Sequence, residues 1–74
     1  MKIRITFHDD FTPPMLIFPR AFDACVFLLD KYRDKAEDTM GRPTLERLAI
    51  YARQFGLGVE RIDHGVTVWK GVGQ

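Results

Sequence analysis

From Phe18 to Ala36, apolar residues recur at alternating steps of four and three, at Phe18, Phe22, Cys25, Leu29, Tyr32 and Ala36. On a helix that spacing lines them along one narrow stripe. It predicts a helix from near Pro19, whose missing N–H suits a first turn, to about Asp38, with Arg20, Asp23, Lys31 and Asp34 on the polar side. Phe27 breaks the pattern, because at about 100° per residue it lies roughly opposite the stripe. A two-layer fold leaves it facing water, to be covered either by the Phe11–Pro14 segment or by another chain.

Ahead of this helix, Lys2 to His8 alternate strictly, with Ile3, Ile5 and Phe7 on one side and Lys2, Arg4, Thr6 and His8 on the other, which is the pattern of a half-buried strand. Asp9 to Pro14 interrupts it, since two consecutive prolines remove donors and fix the backbone. The run Met15–Phe18 fits a short second strand or a lead-in to the helix, and the strand reading is preferred. Beyond the helix, Thr39 to Pro43 forms a turn in which Gly41 is free to take a positive φ. A second helix follows from Thr44, with Leu45, Leu48, Ala49, Ala52 and Phe55 inward, and stops at Gly56 with Leu57 packing back on its last turn. Val59–Ile62 and Val66–Lys70 flank Asp63-His64-Gly65, which reads as a hairpin closed by a type I turn and a G1 bulge. Gly71 to Gln74 is expected to fray.

Together these elements predict one α+β domain over residues 1–74, in the order β(β)ααββ. A small antiparallel sheet would be covered on one face by an antiparallel two-helix hairpin. In that arrangement Val66 and Val68 join Ile3, Ile5 and Phe7 in the core, while Thr67 and Trp69 lie on the open sheet face near Lys2 and Arg4.

Composition mainly excludes. With 46% hydrophobic and 28% charged residues the chain should fold. Its apolar runs, among them Met15–Phe18 and Cys25–Leu29, are far short of the roughly 20 residues that cross a bilayer. The amino terminus lacks the apolar segment of a secretion signal, so a cytoplasmic location is expected. The net charge of +1 is evenly spread, with six basic and six acidic side chains in residues 1–37 and five and four in the rest, so no concentrated basic stripe is present. The single cysteine, Cys25, falls on the apolar stripe and reads as a small hydrophobe. There is no serine and no asparagine, which removes a serine nucleophile and the usual side-chain oxyanion donors together. His8-Asp9-Asp10 and Asp63-His64 pair histidine with carboxylate but lack metal-ligand spacing, and read as solvated turn residues. No enzyme, cofactor or metal is expected.

Recognition remains. The outward side of the second helix is expected to show Arg47, Ile50, Tyr51 and Gln54, with Arg53 at the margin, a composition enriched at protein interfaces, and Phe27 would add to it. The alternative is nucleic-acid binding by the open sheet face, through Lys2 and Arg4, with His8 nearby and Trp69 for base stacking. In size and mixed helix–sheet order the chain resembles small accessory proteins of phages and mobile elements, among them the anti-CRISPR inhibitors. The resemblance rests on general organisation and carries no residues over. It implies a non-enzymatic protein that occludes a functional site on a host protein or ribonucleoprotein complex. The same surface could instead serve a homodimer.

Overall fold

A computed structural model of the chain describes residues 1–72, with Val72 described only in its backbone. Its elements are β1 (Lys2–Thr6), β2 (Met15–Phe18), α1 (Ala21–Lys31), α2 (Thr44–Phe55), β3 (Gly58–Asp63) and β4 (Val66–Val72). The strands form one antiparallel sheet in the order β2-β1-β3-β4. Alternation along β1 sends Ile3 and Ile5 into a core shared with Val59 and with both helices, so one face is covered and the other left open. The fold is thus α+β, and Met15–Phe18 is a strand, with Phe18 opposite Ile3 and Met15 opposite Thr6.

The helices run side by side in the same direction, not as the antiparallel hairpin expected. Sheet register requires this. β2 ends beside the start of β1, where Phe18 faces Ile3, and β3 begins beside its end, where Gly58 faces Thr6. Each helix must therefore travel the length of the sheet in the same sense. The contacts between them agree: the Cys25 thiol reaches the Thr44 carbonyl at 3.7 Å, and the Tyr32 ring stacks on Phe55 with centroids 3.8 Å apart. α1 stops at Lys31 rather than Asp38. Tyr32 leaves the helical region at φ −113°, ψ 33°, its ring held by Phe55, and Arg33-Asp34-Lys35 bring no apolar side chain to pay for further helix.

Residues 32–43 then return along the helices to start α2. Thr39 pins this segment. It is the only polar residue in the buried set of the described residues, and its hydroxyl shares a 2.6 Å hydrogen bond with the Tyr51 hydroxyl while accepting one from Arg47 Nε at 3.0 Å. Gln54 holds the other end, donating to the Lys35 carbonyl and accepting from the Glu37 N–H at 3.0 Å.

Inside α1 the buried residues are Ala24, Cys25 and Leu28, whereas Phe22 is 59% exposed and Leu29 also faces outward. The predicted stripe had joined three elements, since Phe18 belongs to β2 and Tyr32 and Ala36 lie past the helix end. Phe27 is correspondingly turned inward, its ring 5.9 Å from Phe7 and 5.2 Å from Phe18. The strands cover it; Phe11, in the loop once expected to do so, is 95% exposed.

α2 buries Leu48, Tyr51 and Ala52, with Leu45 and Phe55 packed against the core. Gly56 takes φ 67° and the Leu57 N–H returns to the Ala52 carbonyl at 2.9 Å, which is the expected Schellman stop. Tyr51 is 0% exposed, opposite to the outward placement expected of it.

The terminal hairpin differs in detail. Asp63 pairs directly with Val66, and His64 and Gly65 both have positive φ (51° and 79°), so the turn is the two-residue type I′ form. The bulge sits further along, where the register shifts between Arg61 and Ile62 and Val68 is left over in β4. Thr67 keeps the open face expected of it, and beyond the extra residue the facing predicted from alternation is reversed. Val66 and Val68 are exposed, and Trp69 lies on the helix side, its ring over Gly71. β4 continues through Gly71 and Val72, where fraying was expected; Gly73 and Gln74 lie outside the described residues.

Tyr51→Ala should lower unfolding stability by about 3–5 kcal/mol, as for a large aromatic removed from a core. Tyr51→Phe, which removes only the bond to Thr39, should cost about 1 kcal/mol in the same urea titration. At Gly71 an added Cβ would lie 3.0 Å from the Trp69 ring and 3.3 Å from the Ala49 Cα. Gly71→Ala is therefore expected to cost about 1–3 kcal/mol by pushing Trp69 and α2 outward, read as a lower melting temperature.

Candidate functional site

The open sheet face is built by alternation. β1 contributes Lys2, Arg4 and Thr6, β2 Met15 and Ile17, β3 Glu60 and Ile62, and β4 Thr67 and Lys70. One row across the strands reads Ile17, Arg4, Glu60, Lys70, and the next sets Lys2 beside Ile62 and Ile62 beside Thr67. Arg4 donates from both Nε (2.9 Å) and Nη2 (2.7 Å) to Glu60 Oε1, while Thr67 donates to Oε2 at 2.9 Å. Arg4 followed by Thr67 holds the Glu60 carboxyl below its usual range. The half-exposed pair is worth about 1 kcal/mol at most, but it fixes where both side chains point. Lys2 and Lys70 are exposed, as are Met15 and Ile17.

This face holds Lys2 and Arg4 together, as expected, but not Trp69, which the bulge has turned to the covered side. His8 lies past the end of β1 and is exposed. The proposed helix patch is taken apart more fully. Tyr51 is in the core and Phe27 packs half-buried against it, Arg47 and Gln54 hold the return segment, Ile50 is half-buried, and Arg53 is exposed. Met15, Ile17 and Ile62 were overlooked as surface groups. For Met15 and Ile17 the signal was present in Met15-Leu16-Ile17-Phe18, a strand apolar on both faces although only one can be covered. A second exposed apolar set, Phe22, Val26 and Leu29, lies on the outward side of α1.

The carboxylates near the histidines have structural roles. Asp9 accepts from the Phe11 N–H at 2.9 Å, the Thr12 N–H at 2.8 Å and the Thr12 hydroxyl, and pairs with Lys31 at 3.2 Å. These bonds, the one from Phe11 foremost, lower its pKa from 3.8 to about 2. Lys31 also lies over the Phe7 and Tyr32 rings, tying the β1–β2 loop to α1. Asp63 stands 3.5 Å from His64 at the hairpin tip. Burial pushes the Cys25 thiol up, leaving a protonated group inside the core.

Compared with protein-family models, with curated proteins and with solved structures, the chain matches none.

Asp9 is bound more tightly as a carboxylate in the folded state, so its contribution is present above its unfolded pKa and is lost as pH falls through the folded value. Melting temperature should therefore decline from about pH 3.8 towards pH 2. Asp9→Asn, which keeps a side-chain acceptor for the turn, should flatten that limb and lower the neutral-pH melting temperature slightly. An unchanged acid limb would assign the loss to other carboxylates.

Proposed function

We propose that this chain is a non-enzymatic protein-binding protein that acts by occlusion, in the manner of the anti-CRISPR inhibitors it resembles, on a larger host protein complex. The observation that carries this reading is the uncovered sheet face. Ile17 is 53% exposed there and Met15 nearly as much, both on the edge strand β2, with the cations Lys2 and Arg4 on β1 separating them from Ile62 on β3. Apolar groups fixed on a rigid strand lose little entropy on docking, and charged neighbours select the partner's orientation. The nucleic-acid alternative loses its stacking group, because Trp69 packs on the covered side of the sheet. Both sides of the sheet are occupied in different ways: one by helices, the other by a surface suited to a partner.

Tagged protein incubated with nuclease-treated bacterial lysate should retain a stoichiometric protein identified by mass spectrometry. Ile17→Glu should release it with melting temperature within a few degrees of the parent, since the substitution is at an exposed position. Loss of all partners on nuclease treatment, or equal capture by Ile17→Glu, would overturn the reading.

A further inference from the structure

One end of the open face is concave. A groove of about 490 Å³ runs over the first half of β1, lined by Lys2, Arg4, Ile17, Ile62 and the turn residues Asp63 and His64, with Met1 at its mouth. Register explains its shape. Arg4 lies between Ile17 on β2 and Glu60 on β3, and Lys2 lies beside Ile62, so two isoleucines stand diagonally across a column of two cationic side chains. The type I′ turn closes the end next to Ile62.

Its charges are unequally committed. Glu60 takes Arg4 Nε and Nη2, leaving Nη1 outside that pair, and Asp63 is turned towards His64. Lys2 has no carboxylate within ion-pair distance among the described residues. An occupant that satisfies this groove brings one aliphatic side chain for the gap between Ile17 and Ile62, and one carboxylate for the Lys2 ammonium and the free edge of Arg4. A second copy of the same face is disfavoured, because it would set Lys2 and Lys70 against their own kind.

We infer that this groove docks an acidic–aliphatic segment of a protein partner, a leucine-like side chain next to a glutamate. The inference rests on the protein-binding reading and names the partner chemistry at its centre. The Lys2 and Arg4 stems supply apolar wall as well as charge, which favours a segment in which the two group types are adjacent.

The test is a titration of ¹⁵N-labelled protein with N-acetyl-Leu-Glu-amide, with N-acetyl-Leu-Gln-amide as the uncharged isostere. Saturable amide shifts are expected at Lys2, Arg4, Ile17 and Ile62, with the Glu peptide about threefold to fivefold tighter, the scale of one solvent-accessible ion pair. Lys2→Glu should abolish that preference and shift it to N-acetyl-Leu-Lys-amide. Equal affinity for the Glu and Gln peptides, shifts confined to α1, or no shifts would overturn the inference. If the titration fails while Ile17-dependent capture persists, the groove is wrong and the protein-binding reading stands. Titration success with failed capture refutes that reading instead.

Discussion

Because β2 and β3 meet β1 at its opposite ends, the two helices between them are forced to run the same way, and the chain must retrace their length in between. This return is the costliest part of the fold, since residues 32–43 form no regular element and their backbone groups must find partners individually. The Gln54 amide on α2 supplies two of those partners, to the Lys35 carbonyl and the Glu37 N–H, and turns within the segment supply others, while the Thr39 hydroxyl anchors it through the Tyr51 and Arg47 side chains. The amphipathic look of that helix therefore misleads. Residues with the composition of an interface are spent on holding its own chain.

What could be read from the sequence followed from local rules with a single solution. Alternation gave β1 and the glycine stop gave the end of α2, while the run Met15–Phe18 fitted both a strand and a lead-in to the helix until its pairing with β1 decided. Where several solutions competed, tertiary packing decided. α1 is apolar nearly all round from Ala24 to Leu29, so periodicity alone could not choose its buried side, which packing sets at Ala24, Cys25 and Leu28. The hairpin shows the same limit at the scale of one residue. Placing the bulge at the turn rather than at Val68 was enough to put Trp69 on the opposite face. The surface followed suit, because Lys2 and Arg4 depend only on β1, whereas Trp69 depends on register across a bulge.

The topology also orders assembly. β1 with β2, and β3 with β4, are hairpins closed by short connections, while the β1–β3 ladder joins Lys2 to Ile62 across nearly the whole sequence. Hairpins of this kind form early, and the long-range ladder waits on loop closure. The open face, whose cations Lys2 and Arg4 lie on β1 and whose aliphatic groups lie on β2 and β3, is complete only once that ladder is made.

An open sheet has two edges that can recruit foreign strands, and here they are guarded differently. β2 is four residues long and bracketed by Pro14 and Pro19, so a neighbour aligned on it soon meets positions with no donor. β4 is longer but carries Lys70 and the kink at Val68, which twists it away from the straight template that stacking strands require. Both rims of a small sheet that displays isoleucine and methionine on one face thus carry features that disfavour the addition of a foreign strand.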